Sequence, residues 1–199
     1  MEYSFEKLKG RAPGIILQEG CRRSAVIIPL IKEVDGIKVL FQVRSEAIDR
    51  QPGDICFPGG AIQDGEEPLE TALREASEEL LISPDQLDVI CACDVFHNAS
   101  GIVYPFAAWL SGYDGRFSED EVAEVFSVPL DYFMQTDPVV CTSEMVRKPD
   151  QDFPYELIHG GRDYKWPRRV DKELFYLWEG RAVWGITARI LKGFLDILR

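Results

Sequence analysis

Three glutamates, Glu75, Glu78 and Glu79, lie close together in the chain. In a helix, residues four apart lie one above the other, so Glu75 and Glu79 share a face and Glu78 lies beside them. Like charges at this spacing destabilise an isolated helix by about 0.2–0.5 kcal/mol. Carboxylate oxygens are the ligands that Mg²⁺ and Mn²⁺ prefer. The segment is therefore either a divalent-metal site or an acidic helix face in contact with solvent.

The predicted helix follows a loop rich in glycine and proline, residues 51–65. Glycine allows the backbone to turn sharply or to approach another group closely. Pro68 suits the first helical position, and Ser83 and Pro84 mark the end of the helix. The apolar stripe of this helix consists of Leu69, Leu73, Ala76 and Leu80.

Arg74 is the single cation in this acidic segment. Its spacing predicts ion pairs with Glu70 and Glu78, which lie four residues away on either side. We expect the guanidinium to lean away from the face that holds Glu75 and Glu79. Those two carboxylates then lack a protein counterion, which favours a bound cation.

The segment 60–82 resembles the Nudix box, G-x5-E-x7-R-E-U-x-E-E-x-G-U, in which U is a bulky apolar residue. The matching residues are Gly60, Glu66, Arg74, Glu75, Glu78, Glu79 and Ile82. Leu81 stands where the family has glycine, and Ala76 is smaller than the usual aliphatic residue. The resemblance implies a hydrolase of nucleoside diphosphate derivatives that uses Mg²⁺ or Mn²⁺.

The resemblance also implies roles for the residues of the box. Glu75 and Glu79 are the expected metal ligands, and Glu78 and the carbonyl of Gly60 are further candidates. Arg74 belongs to the expected catalytic set, with Glu66 beside it to steady the junction of loop and helix. The general base is expected on the helix, where Glu78 is a candidate, or on a later loop, where Glu121 is the candidate.

The segment before the box is similar to that of the coenzyme A pyrophosphatases, which read L-L-T-x-R-S and then G-Q-x-x-F-P-G-G. The residues that keep this pattern are Arg44, Ser45, Gly53, Phe57, Pro58, Gly59 and Gly60. The distal segments 118–133 and 182–191 are similar to the same group. Asp49, Gln51 and Asp54 replace basic, amide or histidine positions of that group.

The second resemblance implies hydrolysis of coenzyme A or acyl-CoA to 3′,5′-ADP and 4′-phosphopantetheine or its acyl form. Two alternatives stay open: hydrolysis of ADP-ribose or another nucleoside diphosphate compound, and a Nudix-fold module that binds a nucleotide without turnover. Arg44 and Arg50 are candidates to bind substrate phosphate, although Arg44 could instead pair with a helix carboxylate. Cys56 and Phe57 are expected to pack the loop onto the core.

A basic cluster near the end of the chain is either surface charge or a receptor for a ribose 3′-phosphate. It consists of Lys165, Arg168 and Arg169. Arg22 and Arg23, before the first strand, are expected to be surface charges.

The apolar patterns predict a single domain over residues 1–199, an α/β/α sandwich of the Nudix type with a mixed sheet. Strands are expected at 24–31 and 37–44, joined at Asp35 and Gly36, and at 87–96 and 102–111, joined by a turn at 97–101. Residues 145–169 are expected to be irregular or a hairpin. Residues 182–198 have the spacing of an amphipathic helix.

Composition limits the partners. The formal net charge of −12 argues against nucleic acid or an anionic membrane as a partner, and a small-molecule nucleotide is expected instead. Five cysteines without a C-x-x-C pair, together with two histidines, argue against a structural zinc. The sequence lacks an apolar run long enough to span a membrane, so the cytoplasm is the expected location. A homodimer is compatible with the Nudix resemblance.

Overall fold

A computed structural model of the chain describes residues 9–10, 16, 20–98 and 101–199. Within these residues eight strands form one mixed sheet in which β1 and β7 are parallel and the other pairs are antiparallel. The order is β3-β2-β1-β7-β5, with β4 paired to β1, β8 to β2 and β6 to β7. The strands are β1 (Arg22–Glu33), β2 (Gly36–Arg44), β3 (Ile55–Cys56), β4 (Gly59–Ala61), β5 (Leu87–Ala92), β6 (Phe96–Asn98), β7 (Gly101–Leu110) and β8 (Val122–Pro129).

A second sheet of three antiparallel strands follows, in the order β11-β10-β9. Its strands are β9 (Val139–Met145), β10 (Arg169–Trp178) and β11 (Arg181–Trp184). The helices are α1 (Pro68–Leu80), α2 (Leu130–Gln135) and α3 (Gly185–Leu198), with short 3-10 turns at Pro84–Gln86, Tyr155–Leu157 and Gly161–Asp163.

Helices cover the first sheet from two sides because its central strands alternate between two apolar cores. Ala25 and Ile27 of β1 pack in a core with Ala76 of α1. Ile28 of β1 packs in the other core with Leu191 of α3. Each large apolar side chain that becomes fully buried stabilises the fold by about 1.5–3 kcal/mol. The predicted α/β/α sandwich with a mixed sheet is confirmed.

The first hairpin and the catalytic-helix candidate agree with the sequence patterns. Strands β1 and β2 are antiparallel, with Glu33 opposite Gly36. Helix α1 begins at Pro68 and ends at Leu80. Leu81 then adopts the left-handed conformation, with φ 51° and ψ 44°. The chain therefore leaves the helix through the tight turn that the family makes with glycine, although this residue carries a side chain.

Two predicted boundaries are wrong. Residues 182–184, predicted as the start of the last helix, belong to β11, because they pair with β10 and Val183 is buried in the core. His97 and Asn98, predicted as turn residues, belong to β6, which pairs with β7. The strand predicted at 87–96 is correspondingly divided into β5 and β6. Ala99 and Ser100 of the predicted turn lie outside the described residues.

The segment predicted to be irregular or a hairpin has both features. Strands β9 and β10 pair with each other, Met145 opposite Arg169, so they form a hairpin with a long connection. The connection, residues 146–168, contains two of the 3-10 turns and is otherwise irregular.

Candidate active site

The Gly-rich loop, α1 and the C-terminal elements enclose a cavity of about 650 Å³. One part of its lining, here called the carboxylate wall, consists of Gly59, Gly60, Glu75, Glu79 and Glu121. Another part, here called the C-terminal wall, comes from β10, β11 and α3 and consists of Arg169, Asp171, Glu173, Trp184, Ile186 and Arg189. The arginines Arg22, Arg44 and Arg50 also line the cavity.

Two glycines allow the carboxylate wall to close against the sheet. Gly59 has φ +151°, and a Cβ atom there would lie 2.2 Å from the carbonyl oxygen of Ala25. A Cβ atom at Gly60 would lie 2.3 Å from Cδ of Glu75. The side chain of Glu75 therefore rests on the bare backbone of Gly60, in space that any other residue would fill.

Glu79 is almost completely buried, with 3% of its surface exposed. The backbone N–H of Gly59 donates to its Oε2 at 2.8 Å. Burial raises the pKa of Glu79 to about 7, and the negative charges of Glu121 and Glu75 act in the same direction. The site therefore concentrates carboxylates that the protein itself compensates only in part.

Arg74 organises the loop and the helix by binding three carboxylates. Its Nε and Nη2 donate to the two oxygens of Glu66 at 2.8 and 3.1 Å. Its Nη1 lies 2.8 Å from Oε1 of Glu75 and 3.2 Å from Oε2 of Glu78. The prediction that Arg74 pairs with Glu70 and leans away from Glu75 is wrong, because the bond to Glu66 draws the guanidinium across the helix.

Glu66 joins the loop to the helix, as predicted. Besides the bonds from Arg74, its Oε2 accepts hydrogen bonds from Thr71 Oγ1 at 2.8 Å and from the N–H of Gln63 at 3.2 Å. The Arg74 guanidinium and these two donors lower the pKa of Glu66 to about 2. Because its oxygens are occupied by protein donors, Glu66 suits an orienting role better than metal binding.

Glu78 has a different environment from Glu75 and Glu79. Its side chain is 59% exposed and contacts Arg74. It is not among the described residues that line the cavity. Its roles as a third metal ligand and as a general base stay predictions.

Glu121 lies in a turn that is bonded to two separate parts of the site. The N–H of Ser118 donates to the carbonyl of Glu79 at 2.8 Å, and the N–H of Ser45 donates to the carbonyl of Glu121 at 2.9 Å. These bonds place Glu121 in the lining beside Glu75 and Glu79. A carboxylate in this position is within the same cavity as the expected metal ligands, where a general base is needed.

Arg44 ends β2 at the edge of the cavity. The loop that follows holds its backbone, since its N–H donates to Asp54 O and its carbonyl accepts from Gly53, both at 3.0 Å. Its Nε donates to the carbonyl of Arg50 at 3.1 Å. Among the described residues no carboxylate pairs with Arg44, so the salt bridge considered from the sequence does not form there. Its side chain also interacts with the Cys56 thiol, and a guanidinium without a carboxylate partner suits an anionic ligand.

Cys56 and Phe57 pack the loop onto the core, as predicted. Phe57 is buried and stacks on Phe41 with ring centroids 5.1 Å apart. Burial raises the pKa of the Cys56 thiol to about 11. The thiol is therefore protonated at neutral pH and is a poor nucleophile.

The C-terminal wall contains residues that sequence reasoning did not assign to the site. Trp184, Ile186 and Arg189 belong to the distal segment that resembles the coenzyme A group, and that resemblance was their only signal. Of the predicted basic cluster, Arg169 lines the cavity and bonds to Asp171 at 2.7 Å. Arg22, predicted as a surface charge, also lines the cavity.

The carboxylate wall fits a hard divalent cation by its chemistry. Within the described residues, no three His, Cys, Asp or Glu side chains are arranged to hold a metal ion. Glu75 contacts Arg74, and Glu79 accepts a hydrogen bond from the N–H of Gly59. The groups that could bind a metal ion are nevertheless all oxygens. Glu75 and Glu79 contribute two largely buried carboxylates, and Gly60 leaves space beside them. Such a donor set suits Mg²⁺ or Mn²⁺.

Comparison with known proteins decides the family. The NUDIX domain family matches residues 22–145, more than half of the chain. The chain belongs to the Nudix family. It is accordingly a Nudix hydrolase, an enzyme that cleaves nucleoside diphosphate derivatives, and the hydrolases of this family generally use divalent metal ions.

Similar proteins come from mammals and bacteria. The chain is 36% identical over 137 residues to the peroxisomal coenzyme A diphosphatase NUDT7 of Mus musculus, a match that covers 65% of this chain and 55% of that protein. It is 36% identical over 176 residues to the uncharacterized Nudix hydrolase NudL of Pectobacterium atrosepticum, covering 85% of this chain and 79% of that one. The match to NudL of Citrobacter koseri is 31% over 193 residues and covers 94% and 88%.

Solved structures similar to this chain include the Ap4A hydrolase of C. elegans in a binary complex. The TM-score is 0.48, and the identity is 21% over 57% of this chain and 84% of that one.

In the part of the chain that the structure describes, no helix has the length and apolar character needed to cross a bilayer.

Proposed function

We propose that this Nudix hydrolase cleaves the diphosphate of coenzyme A or of an acyl-CoA. One water is consumed and one P–O–P bond is broken, which gives 3′,5′-ADP and 4′-phosphopantetheine or its acyl form. One observation carries the proposal: Glu75, Glu79, Gly60 and Arg44 all line the same cavity. The name of the mouse relative, a coenzyme A diphosphatase, supports this choice of substrate.

We assign tasks in this reaction to the carboxylate wall and to Glu78, Arg44 and Arg50. Glu75 and Glu79, with the Gly60 carbonyl, would hold a Mg²⁺ or Mn²⁺ ion, which supplies positive charge to the diphosphate oxygens when bound. Glu121 accepts the proton of the attacking water, and Glu78 is the alternative base on the helix. Arg44 and Arg50 bind phosphate oxygens, because a guanidinium can donate two parallel hydrogen bonds to them.

Arg74 acts through other side chains. It holds Glu75 by one N–H and Glu66 by two, and Glu66 in turn receives the N–H of Gln63 in the loop. We assign Arg74 to positioning Glu75 relative to Gly60.

A substrate panel tests the proposal. The protein is incubated with Mg²⁺, and in parallel with Mn²⁺, and with coenzyme A, acetyl-CoA, ADP-ribose or a dinucleoside polyphosphate, and the products are separated by chromatography. The expected result is the highest kcat/KM for coenzyme A or its acyl form. A preference for ADP-ribose would contradict the substrate proposal, and the acidic residue Asp54 in the cavity lining would then be its physical reason.

Glu79→Gln distinguishes an enzyme from a module that only binds a nucleotide. Gln keeps an acceptor for the Gly59 N–H but lacks the charge that a metal ligand needs, so we expect kcat to fall by more than about 100-fold. Glu70→Gln is the matched control on the same helix, because its side chain caps the backbone N–H of Glu67 outside the cavity. Nucleotide binding without turnover in wild type and variant would favour the module.

The single domain over residues 1–199, the homodimer and the cytoplasmic location stay predictions.

A further inference from the structure

The C-terminal wall presents one face of the second sheet to the cavity. Side chains alternate between the two faces of a strand, and Arg169, Asp171 and Glu173 of β10 all line the cavity. Phe175 continues this face, and its partner in the ladder is Trp184 of β11. Trp184 itself lines the cavity.

The indole ring of Trp184 stacks on the ring of Phe175. Its ring lies parallel to that of Phe175, with centroids 5.8 Å apart and 4° between the ring planes. Because Phe175 stacks against the indole in an offset arrangement, this contact restrains the orientation of the ring.

Beside its four charged residues, the C-terminal wall exposes two large apolar side chains. Trp184 is 42% exposed and Ile186, two residues later, is 37% exposed. Large apolar side chains that remain exposed inside a concave site are typical of a surface that a ligand covers. A ligand with a flat apolar part fits this surface.

We propose that Trp184 is a stacking platform for the purine base of the nucleotide half of the substrate. The identity of that base as adenine rests on the proposed function. A restrained indole face suits a planar heteroaromatic ring, because stacking needs two flat surfaces and loses little conformational entropy. The flexible pantetheine half has no aromatic ring and gains less from such a surface.

Arg189 completes this subsite. It lies on α3 and lines the same wall, and its guanidinium donates to the carbonyl of Lys172. Among the described residues no carboxylate pairs with it, so it remains available to a phosphate of the base-bearing half. The base is thereby assigned to β11 and α3, outside residues 22–145 that match the family.

Binding of adenosine 5′-monophosphate, measured by calorimetry, tests the platform without depending on catalysis. This probe has no phosphoanhydride, so its binding is measured whether or not the protein hydrolyses coenzyme A. We expect Trp184→Leu to weaken this binding by about 5-fold to more than 100-fold, the range for loss of one stacked base. Trp184→Phe, which keeps a π-face, should remain within about 3-fold of wild type.

Two further probes show which half of the ligand is affected. Ribose 5-phosphate, which lacks the base, and 4′-phosphopantetheine should bind wild type and Trp184→Leu equally. Val170→Ala is the matched control, because Val170 is an exposed apolar residue on the opposite face of β10. It should leave all three affinities unchanged.

The outcomes that overturn the platform are distinct from those that overturn the hydrolase proposal. Unchanged binding of adenosine 5′-monophosphate in Trp184→Leu, or an equal loss for 4′-phosphopantetheine, would overturn it even if coenzyme A is hydrolysed. As a measurement that needs no variant, adenosine 5′-monophosphate should quench the tryptophan fluorescence of wild type and ribose 5-phosphate should not. Absence of this difference also overturns the platform.

Discussion

The carboxylate wall and the C-terminal wall of the cavity are built in contrasting ways. On the carboxylate wall, Glu75 rests directly on Gly60 and Glu79 accepts a hydrogen bond from Gly59, so the backbone leaves almost no space unused. On the C-terminal wall, Trp184 and Ile186 are more than one-third exposed.

This contrast separates two requirements of the enzyme. Charge must be placed accurately to act on a diphosphate, and displacement by about 1 Å can cost about 100-fold in rate. Contact with the rest of the substrate tolerates more variation, because apolar and stacking interactions depend less steeply on geometry. Substitutions on the first wall should therefore change kcat, whereas those on the second should change KM.

Gly60→Ala is the strongest test of this comparison. The new methyl group would lie 2.3 Å from Cδ of Glu75, so the carboxylate must move away from its position. We expect kcat to fall by about 10- to 100-fold with much less change in KM, and unfolding free energy to fall by about 1–3 kcal/mol from overpacking. Steady-state kinetics and urea denaturation measure the two effects.

The control for this change is Gly193→Ala in α3. It adds the same methyl group at a site where, apart from the neighbouring residues and backbone of α3 itself, no atom lies within 4 Å of the new Cβ. We expect unchanged activity and a gain of about 0.5–1 kcal/mol in stability, since alanine favours a helix interior. Full activity of Gly60→Ala would show that the contact with Glu75 does not matter.

Thr187→Val tests the link between the two parts of the lining. Thr187 of α3 is buried, and its Oγ1 donates to the carbonyl of Ile55 in β3 at 3.0 Å. Valine has almost the same shape but leaves that carbonyl without its donor, so we expect a loss of about 1–2 kcal/mol in unfolding free energy. A rise in KM should accompany it, because Ile186 and Arg189 lie on the same helix.

Thr187→Ser provides the comparison for this variant, because it keeps the hydroxyl and removes only the methyl group. If Ser and Val destabilise the protein equally, methyl packing and not the hydrogen bond joins α3 to β3.

Substitutions of Leu81 are expected to have the smallest effect, a change in unfolding free energy. Its left-handed conformation costs an L-residue about 1–2 kcal/mol, whereas glycine adopts it freely. Leu81→Gly and Leu81→Ala remove almost the same side-chain contacts, so their difference isolates the backbone cost. We expect Leu81→Gly to be more stable than Leu81→Ala, with an unfolding free energy about 1 kcal/mol higher. This value allows for the greater freedom of glycine in the unfolded chain. Equal stability of the two variants would contradict this cost.

Local patterns predicted the elements that contacts near in sequence decide. Helix α1 follows from its apolar stripe, and Ala76 and Leu80 are indeed fully buried. Its exit could be located from the Nudix box, but the left-handed conformation of Leu81 could not, because leucine disfavours it.

Features that depend on distant contacts were not predictable. Glu79 is buried because it meets the N–H of Gly59, twenty residues earlier in the chain. Val183 and Trp184 fit a helical stripe as well as a strand, and pairing with β10 decides between the two. The contact of Arg74 with Glu75 depends on the course of the loop that carries Glu66.

The turn that carries Glu121 also has a consequence for how the chain folds. Its hydrogen bonds join it to Ser45 at the end of β2 and to Glu79 at the end of α1, positions separated widely in the sequence. Closing such long loops costs entropy that local contacts do not offset, so we expect bonds of this kind to form late. A nascent or partly folded chain with an intact α1 is thus expected to lack Glu121, the proposed general base, beside that helix until the long-range contacts have formed.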